Sequence, residues 1–547
     1  MPKTQSPFTR RSFLQTSLAA AAGAASLPVT SHAFIPPTPP QAKYTRYNVM
    51  SSGGQRALNS YNNAIQVMLK LPPNHPQNWF RNAFIHIMDC PHGNWWFYVW
   101  HRGYVGYFEE TIRNLSNDST FAMPYWDWTT LPEIPASMFE SVLTPIADLY
   151  SNFTKNLSVF TSFIKPSLQT YWNSLNSAQR NQLNIRGYTN FDLMWNDVTG
   201  LDPGSGNGIS GNMAYAITCG ARYLSRDNPK LDSATAYDCS PPVIDAGLKP
   251  TQFYNPSISL SFTSTKTPSH NTPPGQNTQF SILEGFPHNK VHNYIGGVGP
   301  LDPGPYGNMT NFLSPVDPIF FLHHSNLDRL WDVWTRKQQS MGLPYLPTGT
   351  DLQTLSNEPF LFYVNGAGQP VGNSQAGEYL SMQRFNYQYQ PGYPERFEQT
   401  SGVQNRPARP PVRGTVRGNR ATLALPSGVV KEHLAAPAAT LIAEVTVPHP
   451  TPSNPTREFH VLVGAPANVT DAGPDSPYYA GTIAFFGNMA HAHGAAPNAT
   501  FAVPLPRTPQ AFTGLEAVNA GVNISIVPAH GRRPVAPVLK SAIVRAI

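Results

Sequence analysis

The sequence predicts two structural regions, a mainly α-helical core and a C-terminal β-sandwich domain. The core is predicted to be helical because His288 and His292 are four residues apart. His86 and Cys90 share that spacing, which places each pair on one face of a helix. After residue 420 the pattern changes to short β-rich runs between turn signals, at the spacing of a small sandwich. These runs are ATLIAEVTV, REFHVLVGA, AGTIAFFG, ATFAVPL and VNISIVP.

The length and composition indicate a large core that carries many loops. The 547 residues are enough for more than one domain. Charged residues make up only 12% of the chain and prolines number 56, which is typical of long loops on a compact core. We expect such loops, with short helices, in the Gly-, Ser-, Asn- and Pro-rich stretch 130–275. No apolar run reaches the roughly 18–20 residues of a spanning helix, so no membrane anchor is expected.

The N-terminus has the pattern of a twin-arginine signal peptide over residues 1–33. Arg10 and Arg11 lie in TRRSFLQ, a weakly apolar run follows, and Ser31-His32-Ala33 fits a small-residue cleavage site. We therefore expect a bacterial protein that is exported to the periplasm or secreted; a basic disordered tail is the alternative. Removal of this segment would reduce the net charge from +6 to +3, which is too weak to predict binding to nucleic acid or an anionic membrane.

Two histidine clusters are the strongest functional signal. The first lies in FIHIMDCPHGNWWFYVWHRGYVGYFEE, and the second in LEGFPHNKVHNYIGG and DPIFFLHHSNLDRLW. Pro91 and Gly93 break the helix around His92, so we expect His92 in a loop and His101 at the start of the next helix. Three neutral imidazoles can hold one copper or similar ion and leave positions open for a small molecule. Two such triads in one chain predict a pair of metals.

These strings resemble the two copper-binding regions of the tyrosinase/polyphenol oxidase family, in order and in spacing. The resemblance implies a four-helix bundle around two copper ions, with dioxygen as co-substrate and small phenols as substrates. It selects His324 rather than its neighbour His323 as a ligand, and it implies that Asp328 steadies the ligand helix or ring. The implied ligands of one copper are His86, His92 and His101, and those of the other are His288, His292 and His324.

The resemblance also implies roles for other residues near the ligands. Glu284 and Asn289 match the pair that holds a water thought to accept the phenol proton; a surface acid and a helix-face amide are the alternatives. Cys90, two residues before His92, matches a cysteine that forms a thioether to that imidazole, and a buried unmodified thiol is the alternative.

Three aromatic residues match positions that surround the copper pair. Phe312 aligns with a gate residue over the second copper, in a segment one residue shorter than the plant pattern. Phe97 and Phe320 match wall positions, although core packing explains each equally well.

We divide the chain after the signal peptide into three parts. Residues 34–395 form the copper-binding core, which ends after Tyr387-X-Tyr389, and residues 396–420 form a Pro/Arg-rich linker. Residues 421–547 form the β-sandwich, which resembles the C-terminal domain of plant-type polyphenol oxidases. That domain covers the copper site in latent enzymes, so a lid is one interpretation of this region.

Two further signals leave alternatives open. Cys219 and Cys239 are candidates for a surface-loop disulfide, or for two free thiols. His491 and His493 suggest either a third metal site or exposed loop histidines, and the latter is favoured.

The resemblance implies a tyrosinase activity. Such an enzyme hydroxylates a monophenol in the ortho position and oxidises the o-diphenol to an o-quinone. Glu284 with Asn289 favours hydroxylation over the nearest alternative, a catechol oxidase that uses the same site. A dioxygen carrier is the alternative from another class, because hemocyanins bind oxygen at the same kind of copper pair. Export and a single site per chain argue against it.

Overall fold

The computed structural model describes residues 42–199, 222–272, 275, 277–302, 306–395, 409–437, 439–451, 456–467, 469, 472–487, 497–516, 521–530 and 537–547. The predicted signal peptide, Cys219, His491 and His493 lie outside these ranges.

The described part of the core is mainly helical, as predicted. Its α-helices are α1 (Ser52–Lys70), α2 (Trp79–Asp89), α3 (Phe97–Ser116), α4 (Asp148–Thr154), α5 (Leu157–Ser174), α6 (Ser177–Arg186), α7 (Phe191–Thr199), α8 (Ser233–Asp238), α9 (Pro241–Leu248), α10 (Asn289–Gly296), α11 (Ile319–Ser340) and α12 (Gly349–Asn357). At 18 residues, α5 is longer than the short helices expected in this part of the chain. No helix of the described ranges is long and apolar enough to cross a membrane.

Local sequence signals explain where the central helices begin and end. The side chain of Asn78 caps α2 by accepting hydrogen bonds from the amides of Phe80 and Arg81. The chain turns between α2 and α3 at Gly93, which has φ +66°. A Cβ atom there would lie 2.5 Å from the Thr278 side chain, so this tight turn requires glycine.

A buried ionic network fixes α11 to the start and end of the core. Strand β1 (Tyr44–Arg46) pairs in parallel with β3 (Tyr387–Tyr389). Arg46 and Arg102 both bind the carboxylate of Asp328, at 2.9 and 2.7 Å, and the Tyr387 and Tyr389 hydroxyls donate to the same carboxylate. Asp328 therefore holds helix α11 and does not orient the ring of His324, whose Nδ1 has no hydrogen-bond partner among the described residues.

The C-terminal region is β-rich, as predicted, and consists of two five-stranded sheets with a shared apolar core. The strands are β2 (Asn277–Phe280), β4 (Val412–Arg413), β5 (Thr415–Arg417), β6 (Arg420–Leu423), β7 (Leu441–Pro448), β8 (Glu458–Val463), β9 (Tyr479–Ala484), β10 (Asn498–Pro504), β11 (Val522–Pro528) and β12 (Ser541–Ala546). One sheet has the order β2-β10-β7-β12-β4 and the other β5-β6-β11-β8-β9. Helix α13 (Ser427–Ala435) lies between β6 and β7 in the chain.

The structure differs from the predicted division of the chain at two points. The sandwich begins at β4, inside the segment 396–420 that was expected to be a linker. Strand β2 comes from the core, between the two histidine clusters, and pairs in parallel with β10. Phe280 and Phe286 of the core also belong to the apolar cluster of the sandwich. The core and the sandwich therefore share one sheet and one apolar cluster.

Candidate dinuclear metal site

The six predicted ligands converge at the centre of the helical core. His101 on α3 and His324 on α11 stack at 4.1 Å between ring centroids with an interplanar angle of 7°, which joins the two clusters. His92 lies in the loop between α2 and α3, as expected, but α3 begins at Phe97 rather than at His101. The remaining ligand positions are His86 at the end of α2, His288 in the π-helical turn Glu284–His288, and His292 on α10.

Hydrogen bonds donated by Nδ1 orient four of these rings. Nδ1 of His86 donates to the Phe312 carbonyl at 2.8 Å, and Nδ1 of His101 donates to the Phe97 carbonyl at 2.7 Å. Nδ1 of His292 likewise donates to the Met309 carbonyl at 2.7 Å. Nδ1 of His288 donates to Oδ1 of Asn289 at 2.8 Å. With the proton on Nδ1, the Nε2 lone pair of each ring is free for a metal.

The free nitrogens face one another, which indicates a cation between them. Nε2 of His86 lies 3.5 Å from Nε2 of His101, and Nε2 of His292 lies 3.3 Å from Nε2 of His324. Nε2 of His92 and of His288 have no hydrogen-bond partner among the described residues. Burial lowers the pKa of all six rings, which keeps them neutral. Neutral imidazoles with inward lone pairs fit two copper ions.

His323 is also close to the second cluster. Nitrogens of His288, His292, His323 and His324 all lie within 4.8 Å of one another, so distance alone does not select the ligand. The indole N–H of Trp128, however, donates to Nδ1 of His323 at 3.1 Å. An acceptor Nδ1 leaves the proton on Nε2, which then has no lone pair for a metal. This contact favours His324, whose assignment stays a prediction.

Cys90 lies where the predicted thioether requires it. Its Sγ atom is 3.4 Å from Nδ1 of His92, and the free, buried thiol has its pKa raised to about 12 by burial. The thioether itself stays a prediction. Cys239 is also a free thiol, but it is buried at the end of α8 rather than in a surface loop, so the structure contains no disulfide at this residue.

Glu284 and Asn289 both bind protein groups near the metal ligands. Glu284 accepts a hydrogen bond from the Gly93 amide at 2.6 Å and one from the Ser264 hydroxyl, so it fixes the loop that carries His92. Burial raises the pKa of Glu284 to about 8. Asn289 accepts from His288 and donates its Nδ2 to the Ala484 carbonyl at 2.8 Å. The role of Ser264 has no signal in the sequence.

The aromatic wall differs from the expectation at one position. Phe97 packs at 4.8 Å from His288 and Phe320 at 4.2 Å from His324, as centroid distances. Phe312 stacks on His92 at 5.4 Å and 29°, so its predicted place over the second cluster is wrong. The carbonyl of Phe312 binds His86, which holds this residue on the side of the first cluster.

The sandwich inserts Phe486 into the site, a contact that was not predicted from the sequence. Its ring centroid lies 4.2 Å from His292, 5.0 Å from His92 and 5.4 Å from His288. The following Gly487 has φ +68°, and a Cβ atom there would lie 2.7 Å from the Phe312 ring. The sequence shows only AFFG at a strand end, with nothing to indicate that this phenylalanine leaves the sandwich.

Helix α10 docks against the sandwich through polar contacts. Nζ of Lys290 binds Oε2 of Glu458 at 2.5 Å, and both side chains are fully buried. Nδ2 of Asn293 donates to Oε1 of Glu458 at 3.0 Å and to the Phe485 carbonyl at 3.1 Å. Burial opposes ionisation of Glu458, but Lys290 and His530 outweigh it and lower its pKa to about 2. The ligand helix is therefore tied to the domain that inserts Phe486.

The fold and the site define a helical protein in which six converging histidines form a candidate metal site. Residues 74–337 match the family model described as the common central domain of tyrosinase. The chain belongs to the tyrosinase family, whose members have a dinuclear type 3 copper site.

Curated relatives support this family assignment. Polyphenol oxidase II of Ipomoea batatas is 24% identical over 372 residues, which are 65% of this chain and 51% of the relative. Catechol oxidase B of Solanum tuberosum is 28% identical over 247 residues, which are 44% of this chain and 30% of the relative. Hemocyanin 1 of Megathura crenulata is 33% identical over 113 residues, which are 20% of this chain and 3% of the relative. The chain spans about half the length of the first two polyphenol oxidases it matches.

The solved structures agree on the fold. A latent aurone synthase (polyphenol oxidase) aligns with a TM-score of 0.53 and 18% identity, over 93% of this chain and 91% of that one. This likeness extends the common fold beyond residues 74–337 and into the β-rich region.

Proposed function

We propose that the chain is a phenol oxidase that hydroxylates monophenols and oxidises o-diphenols to o-quinones with dioxygen. The observation that carries the proposal is the convergence of the six imidazoles with their Nε2 atoms facing inward. Copper, when bound by these residues, supplies dioxygen binding and two-electron oxidation. His86, His92 and His101 would hold one ion, and His288, His292 and His324 the other.

The residues beside the ligands have roles in orientation and proton transfer. Glu284 is the proposed acceptor of the phenol proton, through a water held with Asn289. Its pKa of about 8 allows exchange of a proton near neutral pH. The Ala484 carbonyl accepts a hydrogen bond from one N–H of the Asn289 amide, and that N–H becomes available to the water only when the sandwich moves.

We further propose that the sandwich keeps the enzyme latent. Phe486 fills the space over His292 and His288 where an aromatic substrate would bind. Point variants test this better than truncation near residue 395, since truncation would expose the apolar residues that the core shares with the sandwich. We also propose that the signal segment directs export by the twin-arginine route.

The test is oxygen uptake by the copper-loaded full chain and its F486A variant, offered tyramine or catechol. Consumption with tyramine, after a lag shortened by a trace of catechol, would support a tyrosinase. Uptake with catechol alone would make the protein a catechol oxidase. The hemocyanin relatives suggest a third outcome to test for, an oxygen-dependent absorption band that is reversible. Such a band without turnover of either phenol would contradict the proposal.

A further inference from the structure

One edge of the metal site is partly exposed, and an arginine lies on it. Of the six predicted ligands, His92 alone is partly exposed; the other five are buried. Phe312, stacked on His92, is also partly exposed, and so is Arg186 at the end of α6. The guanidinium carbon of Arg186 lies 5.8 Å from the Phe312 ring centroid. These three residues mark the side from which the site can be approached.

Arg186 is held in place by neutral groups. Nη1 donates to Oδ1 of Asn271 at 2.9 Å, and Nη2 donates to Sγ of Cys90 at 3.4 Å. Among the residues that the structure describes, no carboxylate lies within salt-bridge distance of Arg186. The nearby Asp89 binds His270 and Trp100 instead. A guanidinium has more N–H donors than these two acceptors use, so it can still bind an anion.

The position of Arg186 suits a group at the far end of a substrate. Phe312 contacts both Arg186 and, at 5.7 Å between centroids, the Phe486 ring that fills the proposed substrate space. An aromatic ring in the place of Phe486 would therefore share Phe312 as a neighbour with the guanidinium. A carboxylate on a side chain of that ring, on the Phe312 side, would lie toward the guanidinium.

We propose that Arg186 determines specificity by binding the carboxylate of acidic phenols, such as arylpropanoates. This inference rests on the proposed function and adds its substrate class. Among the described residues Arg186 donates hydrogen bonds to Asn271 and Cys90 and to no predicted metal ligand, so its role is recognition of the substrate rather than chemistry. A planar guanidinium can bind a carboxylate with two parallel hydrogen bonds, which an ammonium cannot reproduce.

The experiment compares 3-(3,4-dihydroxyphenyl)propanoate with its methyl ester in oxygen uptake. The copper-loaded full chain is used with and without F486A, as wild type, R186Q and R186K. We expect a higher kcat/KM for the acid in the wild type, and a ratio of acid to ester that falls about tenfold or more in R186Q. R186K should give an intermediate ratio. In both variants the change should appear as a higher KM for the acid. R226Q, a matched loss of charge at an exposed ion pair, should leave the ratio unchanged.

A structural role for Arg186 predicts a different result. If Arg186 only supports Cys90, R186Q would lower the turnover of acid and ester together and leave their ratio unchanged, which would overturn the inference. A wild type without preference for the acid would also overturn it. If no phenol is oxidised at all, the proposed function fails. Calorimetric binding of 3-(4-methoxyphenyl)propanoate and its ester then decides the inference separately, since neither probe needs turnover.

Discussion

The ring of Phe486 lies 4.2 Å from the ring of His292, between centroids, with the two planes tilted by 43°. Phe486 follows strand β9 of the sandwich, whereas His292 is on the helix α10 of the core. A phenylalanine side chain has the shape of a phenol without its hydroxyl, so the sandwich places a substrate-like ring at the site. Under the proposed function, a phenol can therefore enter only when Phe486 leaves.

Replacement of Phe486 should activate the full-length protein. F486A removes the ring but keeps the hydrogen bond from the Gly487 amide to the Thr310 carbonyl, so the sandwich can remain docked. We expect catechol oxidation to rise about tenfold or more, since each 1.4 kcal/mol of lost contact energy changes an equilibrium by that factor. Initial rates of oxygen uptake by the copper-loaded protein measure this effect.

A second phenylalanine of the sandwich provides the control. Phe512 is buried against His433, away from the metal site, so F512A removes a similar ring without opening the site. Activation by F512A to the same extent would show that general loosening of the sandwich, and not removal of the Phe486 ring, controls access.

The ion pair between Lys290 and Glu458 should hold the closed state. E458Q would leave Lys290 buried without its partner carboxylate, and breaking such a pair costs about 3–5 kcal/mol. We therefore expect a lower free energy of unfolding together with higher catechol oxidation in the full chain. Thermal melting and oxygen uptake of the same preparation measure the two effects.

An exposed ion pair of the same region is the matched control for E458Q. Arg409 and Glu432 interact at 2.9 Å with both side chains about 40% exposed, so E432Q should change stability by less than about 1 kcal/mol. Catechol oxidation should not change in E432Q. Loss of stability in E458Q without any gain in turnover would argue against this ion pair as the contact that holds the site closed.

The neighbouring histidines on α11 should differ in their effect on copper. H324A removes an inward-facing nitrogen and should reduce the copper content from two ions per chain to one at most. H323N keeps a side chain that can accept the hydrogen bond from Trp128, so it should retain both ions. Elemental analysis after dialysis distinguishes the variants. Retention of copper in H324A with loss in H323N would reverse the ligand assignment.

The helical core was predictable from the sequence because its signals are local. The four-residue spacing of His288 and His292, and the helix-breaking Pro91 and Gly93 around His92, act within a few residues of one another. The same holds for the short β-rich runs between turn signals that predicted the sandwich. Local patterns therefore predicted which elements carry the histidines.

The contacts that close the site were not predictable, because they join distant segments of the chain. Glu458 and Lys290 are separated by 168 positions, and the short strand β2 has no pattern that indicates the sheet it joins. Phe312 was misplaced because its position depends on a carbonyl contact with His86 and on the ring of Phe486. In each case tertiary packing, rather than local preference, determines the position.

The stability of the metal-free protein should depend on pH through Glu284. Burial raises the pKa of this carboxyl from 4.5 to about 8, so the folded state holds its proton more tightly than the unfolded state. The stabilising contribution of this bound proton is complete below about pH 4.5 and is lost as the pH rises through about 8.

E284Q removes this titration and still offers an oxygen to the Gly93 amide. Between about pH 5 and about pH 8 the wild type should therefore lose stability relative to E284Q, by at most about 1.4 kcal/mol per pH unit. Denaturant unfolding of both proteins across this range measures the difference. Parallel stability curves would mean that Glu284 is already ionised at pH 5, and that its contacts with Gly93 and Ser264 outweigh burial.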